Sequence, residues 1–442
     1  MSVPATSKKL KVLSLAAVIF LTVSGGPYGL EPLLDYVGGK YGLIMLLVTP
    51  VLWDIPTILT VMELNSMMPE TGGYYQWVKK ALGLKWAFFE GWWTWLYTFV
   101  DLGIYPQLFI TYTAIFFPQI VAYKLIISLC IIWGGALLNI LGIVPIGRVS
   151  VILTGIVLVP FLILFTHAFG HAPAVVIPAA THPPYFGMAL FIIMWNFIGW
   201  DNVTTYANEV NKPGKSYIKA ICLAFICIVA LYFGTMYMAH RSGIAPALLR
   251  DSGFPALGTL VSGNWLGVTI AVGGMISSLG LFTAVLLSVS RIPKAMADDK
   301  LLPSVLIKLH PKFNTPHFSI ILCAIVVSCL TWLTFGELLI IDIFIYFSGL
   351  FLEFVSLIVL RIKHPQMERP FRIPLGTVGL CIILLLPTAV FLSALIHVVM
   401  HTPEGVKPVC IALGMMLSAF AAWYIIVLYK RYTQQEDKQI QP

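Results

Sequence analysis

The most constraining feature of the sequence is a series of long apolar runs, each separated from the next by a polar or charged cluster. Roughly 20 residues of helix cross the hydrocarbon core of a bilayer. Because 59% of the residues are hydrophobic and only 10% are charged, an ordinary soluble domain is excluded. The sequence predicts an all-α integral membrane protein with twelve transmembrane helices, at 11–36, 41–67, 86–117, 121–141, 148–169, 184–209, 217–241, 264–288, 316–335, 338–361, 378–397 and 406–429.

The basic residues are distributed unevenly between the two sides of this predicted bundle. With the N-terminus placed inside, 22 of the 27 lysines and arginines fall in cytoplasmic segments. Positively charged loops stay in the cytoplasm, so we expect a multi-pass protein of the cell membrane, plasma or inner, with both termini cytoplasmic. The net charge of +8 then follows from topology and does not indicate nucleic-acid binding. Since no cleavage site follows the first run, we expect it to remain as a helix.

Two of the predicted helices are interrupted, the first at 24–29 and the sixth at 196–201. Irregular backbone at membrane depth is tolerated where it faces protein or a wet cavity. Helices 1 and 6 begin two successive sets of five, and breaks in both are typical of an inverted repeat with a central binding site. Close helix packing is an alternative explanation for Gly25, Gly26 and Gly29, but it does not account for the proline inside this glycine cluster.

Four acidic residues lie deep within the apolar runs, and no lysine or arginine lies at the same depth. A charge near the bilayer centre costs about 2.5 to 3.5 kcal/mol on insertion scales, so each of these groups needs a partner, a cavity or a function. Carboxylates near aromatic rings and apolar walls suit an organic ammonium. The sequence therefore predicts an amine site in which the substrate supplies the missing positive charge. The four acids are Glu31, Asp54, Asp101 and Asp201.

Each of these carboxyl groups also has a structural interpretation. Asp201 begins the second half of the interrupted helix 6, where an aspartate caps the free N–H groups. Asp101 is either a site residue or a hydrogen-bonded packing group, and for Asp54 we adopt the packing interpretation. Glu31 either lines the site or faces an outer vestibule.

Other conspicuous residues are expected to be structural. Glu63 and Glu90 lie near predicted cytoplasmic helix ends, where we expect them to pair with lysines. The tryptophan cluster at 92–95 is interpreted as core or interface belt, and the segment 290–303 predicts a short cytoplasmic amphipathic helix. The lysines considered as partners are Lys79, Lys80 and Lys85.

Five segments taken together resemble one family. They are the glycine cluster of helix 1 with Glu31, the stretch 68–78, the stretch 100–106, the stretch 195–213, and the stretch from Ser290 onward. They are similar to segments of the amino acid–polyamine–organocation transporters, and most similar to the polyamine-uptake branch known from plants. The resemblance implies proton-coupled alternating access for polyamines or related amines. It also implies a single transmembrane domain of two five-helix repeats, 11–169 and 184–361, followed by two helices at 378–429.

The predicted site combines the two interruptions with the acidic and aromatic residues beside them. Proton coupling is assigned to Asp201, Asp101 and Glu31. The predicted substrate-binding residues are Gly25, Gly26, Tyr28, Gly29, Glu31, Asp101, Tyr105, Trp195, Asn196, Gly199, Trp200 and Asp201.

Several alternatives stay open at this point. The middle of helix 5 lacks the basic residue that some proton-coupled relatives carry, so sodium coupling through Thr154, Ser277 or Ser278 is a second hypothesis. An amino-acid transporter of the same fold would bind a substrate carboxylate at the N–H groups of the helix 1 break. A channel or a sensor is less well supported. An enzyme is not expected, because no nucleophile–base pair, metal cluster or nucleotide loop is present, and no cofactor or metal is predicted.

Overall fold

The computed structural model describes residues 12–70, 72–142, 148–168, 183–202, 204, 213–289, 291–402 and 405–440. The predicted basic N-terminal segment, most of the second half of helix 6 (203 and 205–209) and Ser290 lie outside these residues. The regular structure within the described ranges is helical. The helices are α1 Val12–Val23, α2 Leu33–Thr49, α3 Ile55–Met67, α4 Gly73–Leu82, α5 Leu84–Thr113, α6 Lys124–Ile140, α7 Arg148–Ala168, α8 Phe186–Asn196, α9 Pro213–Ser242, α10 Pro246–Ser262, α11 Asn264–Val289, α12 Arg291–Asp298, α13 His317–Leu330, α14 Phe335–Lys363, α15 Thr377–His401 and α16 Val406–Ile440.

Many of these helices have the length and apolar character of membrane spans. Of the described residues, seven helical segments meet both criteria, and four shorter apolar helices accompany them, among them α1 and α8. Both α1 and α8 end at an interruption predicted from the sequence, which explains why each is too short to cross a bilayer alone. The prediction of a helical membrane protein is confirmed, whereas the count of twelve spans stays a prediction.

The passage from the first to the second predicted span contains the expected break. A loop was expected at 37–40, and the two helical parts of α2, Leu33–Thr49, meet there at a kink at Gly38. Gly38 has φ 74° and ψ 165°, a conformation that glycine adopts without a steric penalty. A π-helical turn, Pro50–Asp54, then leads into α3. Proline lacks the backbone N–H that would continue the helical hydrogen bonds. The π-helical turn therefore begins at Pro50, where this donor is missing.

Two α-helices of the described residues were not predicted. Helix α4 lies between the second and third predicted spans and packs against α5 and α14. Helix α10 lies between the seventh and eighth predicted spans and packs against α11, α2 and α7. Its sequence contains prolines and Gly253, residues that are typical of loops. In the structure the helix is kinked at Gly253, with φ 67°. The expected amphipathic helix near residue 290 is present as α12. It is followed by Asp299, whose carboxylate accepts hydrogen bonds from Tyr75 Oη at 2.7 Å and Lys79 Nζ at 2.6 Å.

The predicted pairing of Glu63 and Glu90 with lysines is wrong. Glu63, with a fully buried side chain, forms ion pairs with Arg361 and Arg369 and accepts the N–H of Ile373 at 2.8 Å. This happens because the end of α3 packs against α14 and the segment that follows α14. Glu90 is also buried, and its hydrogen bond comes from Thr94 on the same helix, at 3.4 Å.

Helix α5 is the central element of the described bundle. It is 30 residues long, is buried along most of its length, and packs against α14 on one side and α11 on another. Its tryptophans at 92–95 fasten it to α16, since Trp92 Nε1 donates to Ser418 at 2.9 Å and Trp93 Nε1 donates to the Met416 carbonyl at 3.0 Å. They are core residues, as predicted.

Candidate functional site

The chain between α1 and α2 is not helical, and its glycines explain why. Gly25, Gly26 and Gly29 have φ values of 61°, 110° and 94°, which residues with a Cβ atom rarely adopt. A Cβ atom on Gly29 would lie 2.7 Å from Cζ3 of Trp195. These glycines therefore serve an unwound backbone as well as close packing.

A second irregular segment follows α8, and it lies beside the first. Gly199 has φ 97°, and the backbone from Phe197 to Asp201 is not helical. Tyr232 of α9 joins the two segments, because its hydroxyl group donates to the Asn196 carbonyl at 3.0 Å and lies 2.6 Å from Ser24 Oγ. The two interruptions predicted from the sequence thus meet inside the bundle.

Asp101 lies at this meeting point. It is 7% exposed, and its two carboxylate oxygens accept hydrogen bonds from Trp195 Nε1 at 3.1 Å and from Tyr105 Oη at 2.7 Å. A cavity of about 30 Å³ adjoins it, with room for a few water molecules. Five of the predicted site residues line this cavity together, namely Asp101, Tyr105, Trp195, Asn196 and Gly199.

The side chains of Asp201 and Trp200 extend in different directions from the second interruption. The Asp201 carboxylate accepts a hydrogen bond from Tyr346 Oη of α14 at 3.1 Å and lies against the backbone N–H of Asn202. It is 3% exposed. Trp200 turns away from the cavity, and its Nε1 donates to Asp54 at 3.1 Å. Asp201 thus contacts the neighbouring backbone and a side chain of α14, whereas Trp200 holds Asp54.

Glu31 and Tyr28 do not line the cavity. Glu31 accepts hydrogen bonds from Tyr112 Oη at 2.7 Å and from the N–H of Gly29 at 2.6 Å. Tyr28 donates to the Ile270 carbonyl at 2.9 Å. Both side chains are buried beside the first interruption, so they brace that segment against α5 and α11 instead of facing a vestibule.

The hydroxyl groups considered for sodium all donate to backbone carbonyls. Ser277 Oγ donates to Gly25, Ser278 Oγ donates to Gly274 at 2.7 Å, and Thr154 Oγ1 donates to Ala17 at 3.4 Å. Two of these bonds tie α1 and the chain after it to α11 and α7. Within the described residues, no group of three or more His, Cys, Asp or Glu side chains is arranged to hold a metal ion.

Two buried acids, Asp342 and Glu353, were not predicted as site residues, and a third, Glu90, was expected to pair with lysines instead. Asp342 and Glu353 lie in α14 and are 0% and 1% exposed. Each interrupts an otherwise apolar predicted span, which is the same signal that singled out Asp101. Together with Asp101 and Asp201 they make the contact between α5 and α14 rich in carboxyl groups.

Comparisons with known proteins agree with this architecture. The amino acid permease family model matches residues 10–427. Polyamine transporter PUT1 of Oryza sativa subsp. japonica is 31% identical over 423 residues, which cover 94% of this chain and 78% of that protein. Polyamine transporter RMV1 of Arabidopsis thaliana is 32% identical over 394 residues, covering 86% and 79%.

A bacterial relative shows that similarity extends beyond these plant proteins. The serine/threonine exchanger SteT of Bacillus subtilis (strain 168) is 23% identical over 398 residues, which cover 83% of this chain and 86% of that protein. The family and the names of its members describe membrane transporters and no enzyme. The chain belongs to the amino acid permease family of the amino acid–polyamine–organocation superfamily.

Proposed function

We propose that this protein is a proton-coupled secondary transporter of polyamines or related organic cations. The observation that carries the proposal is Asp101, a buried carboxylate beside both interruptions that forms no ion pair within the described residues. Tyr105 and Trp195 hold it in place and add aromatic faces. An ammonium group would supply the missing charge and would gain cation–π contact with the rings.

The backbone of the helix 1 interruption favours an amine over an amino acid. In an amino-acid transporter of this architecture the free N–H groups there would bind the substrate carboxylate. Here Glu31 already accepts the N–H of Gly29, and Ser24 Oγ accepts that of Gly26 at 3.1 Å. The protein's own carboxylate therefore occupies the position that a substrate carboxylate would need.

The two interruptions also suggest how transport takes place. Half-helices joined by irregular backbone can tilt separately, so access would alternate between the two sides of the membrane. We propose twelve spans in two inverted five-helix repeats, 11–169 and 184–361, with a trailing pair at 378–429. The positive-inside distribution places both termini in the cytoplasm of a cell-membrane protein.

Proton coupling is assigned to the buried carboxyl groups. Asp201 contacts Tyr346 of α14 and the backbone of its own interruption. A proton there would therefore change a contact between elements that move relative to each other. Asp101 would exchange its proton for an ammonium, and Glu31 would couple the first interruption to Tyr112 of α5.

The experiment that tests this function is uptake of radiolabelled putrescine into proteoliposomes under an inward proton gradient. We expect gradient-driven uptake that amino acids do not inhibit and that Asp201→Asn abolishes. An imposed sodium gradient in place of the proton gradient distinguishes the coupling ions.

A second candidate is an amino-acid transporter or exchanger, favoured by the similarity to the serine/threonine exchanger. Uptake of α-amino acids without any putrescine flux would replace the polyamine hypothesis with this one. Asp201 would then serve as a proton-binding or capping residue.

A further inference from the structure

The same three types of polar residue occur in opposite order on α5 and α14, along the contact between these helices. Helix α5 carries Glu, Tyr and Asp at intervals of seven and four residues, and α14 carries Asp, Tyr and Glu at intervals of four and seven. Residues at these intervals lie on one face of a helix. We call these six residues the acidic ladder: Glu90, Tyr97 and Asp101 of α5, and Asp342, Tyr346 and Glu353 of α14.

The structure brings the members of the acidic ladder together in pairs. Asp101 and Asp342 form the outer pair, and Tyr97 and Tyr346 form the middle pair. The carboxylates of Asp101 and Asp342 are close enough to interact electrostatically. The rings of Tyr97 and Tyr346 meet edge to face, with centroids 5.2 Å apart and planes at 85°.

The inner pair is formed by Glu90 and Glu353, which interact electrostatically with each other. Both also interact with Asp201 at the second interruption. Pairs therefore form in reverse chain order, as expected of antiparallel helices. The inner pair therefore has a third carboxyl group, Asp201, within electrostatic reach, and Asp201 accepts its hydrogen bond from Tyr346 of the middle pair.

Several oxygens of the acidic ladder are buried without a hydrogen-bond partner in the described part of the chain. They are both carboxylate oxygens of Asp342, Oε2 of Glu90 and Oε2 of Glu353. These side chains are 0%, 1% and 1% exposed. Buried polar atoms almost always have partners, because an orphaned group is costly. The described residues supply no hydrogen-bond donor to these oxygens, and a bound ammonium group would supply one.

The ion pairs found among the described residues lie outside the acidic ladder. The ion pairs found there use five lysines and arginines, and their acidic partners are Asp35, Asp251, Asp299, Glu63 and Glu337. None of these acids belongs to the acidic ladder. No ion pair within the described residues neutralises the ladder, so we take its counter-ion to be a cation of the ligand.

Building on the proposed polyamine transport, we propose that the acidic ladder binds two ammonium groups of one long polyamine. The outer pair, Asp101 and Asp342, would take one ammonium, and the inner pair, Glu90 and Glu353, would take the other. The ladder would thereby make the protein selective for tetraamines over diamines.

The spacing of the ladder supports this preference. The two acids on each helix are eleven positions apart, which at 1.5 Å per residue is roughly 16 Å. The terminal nitrogens of an extended spermine are separated by a comparable distance, whereas putrescine, with four methylene groups, reaches one pair only. The rings of Tyr97 and Tyr346 lie between the pairs and suit methylenes or an inner ammonium.

The test is equilibrium binding of radiolabelled putrescine and spermine to the purified full-length chain in nanodiscs. We expect tighter binding of spermine by the native protein. Glu353→Gln should raise the Kd for spermine about tenfold or more, the effect of losing one favourable charge contact. It should change the Kd for putrescine by less than roughly twofold.

The control is Asp54→Asn, a buried carboxyl outside the ladder, which should leave the ratio of the two Kd values unchanged. Retained putrescine binding shows that a variant is folded, and Glu90→Gln tests the inner pair if Glu353→Gln does not fold. Equal weakening for both amines, or no change in either, would overturn the ladder proposal. Failure of the native protein to bind putrescine at all would instead contradict the proposed function.

Discussion

At the scale of single residues, Asp101 carries the proposed amine site. Replacing it by asparagine keeps a side chain that can hydrogen-bond to Tyr105 and Trp195 but removes the charge that an ammonium would meet. Loss of one partner from a buried charge pair costs about 2 kcal/mol or more, which is roughly thirtyfold in affinity. We expect Asp101→Asn to raise the Kd for putrescine by at least that factor, measured by equilibrium binding in nanodiscs.

The matched control is Tyr105→Phe, which removes one hydrogen bond to the carboxylate and keeps its charge. A single hydrogen bond to a neighbouring group contributes about 1 kcal/mol, so we expect a several-fold effect. Equal losses in both variants would show that the carboxylate acts through packing and not through charge.

The same scale shows what a sequence can and cannot reveal about the site. Asp101 and Trp195 were predicted because an acid and a polar ring in apolar runs are conspicuous, and the structure brings them within hydrogen-bond distance. The direction of a side chain depends on its tertiary neighbours. Trp200 was expected in the site but turns to Asp54, and Glu31 is engaged by Tyr112, 81 positions away in sequence.

At the scale of elements, the unwound segment after α1 packs against other parts of the site and positions them. A methyl group on Gly29 would collide with Trp195, which donates to Asp101. We therefore expect Gly29→Ala to weaken putrescine binding by displacing that indole, as well as to lower thermal stability through its φ of 94°. Binding and melting of the purified variant measure the two effects separately.

Gly38→Ala is the comparison for this prediction. Gly38 also has a positive φ, but nothing lies within 4 Å of the position its Cβ would take. Its alanine variant should melt earlier and bind putrescine with the native affinity. A Gly29→Ala protein that loses stability but not affinity would argue against a link between the interruption and Asp101.

Elements were predictable where local composition dominates. Apolar runs and the glycine cluster of helix 1 locate helices and an interruption, because solvation by lipid and backbone freedom act within one segment. Helix α10 was missed because its prolines and Gly253 read as a loop, and contacts with α11, α2 and α7 stabilise it nevertheless.

At the scale of the whole molecule, the partners of buried charges could not be predicted. Glu63 meets Arg361 across 298 positions, and the acidic ladder pairs residues from two helices that are separated by more than 200 positions of chain. Such pairs depend on how helices pack, which neither apolar periodicity nor spacing encodes. The same packing decides which charges are neutralised internally and which are left for a ligand.

Glu63 offers a test of how such internal pairs hold the bundle together. Its carboxylate joins α3 to Arg361 of α14 and to Arg369 beyond it, and all three side chains are at most 7% exposed. Breaking a buried pair from one side leaves the other charge uncompensated and costs about 3 to 5 kcal/mol. We expect Glu63→Gln to lower the melting temperature by several degrees, followed by tryptophan fluorescence in detergent.

Asp251→Asn is the matched change at the surface, where the Asp251 side chain is 63% exposed and pairs with Arg250. An exposed pair contributes about 0 to 1 kcal/mol, so this variant should melt close to the native protein. Because Glu63 lies outside the amine site and the acidic ladder, Glu63→Gln should still prefer spermine over putrescine at temperatures where it is folded. Unchanged melting of Glu63→Gln would mean that the two arginines find other partners, and the α3–α14 contact would then not depend on this charge.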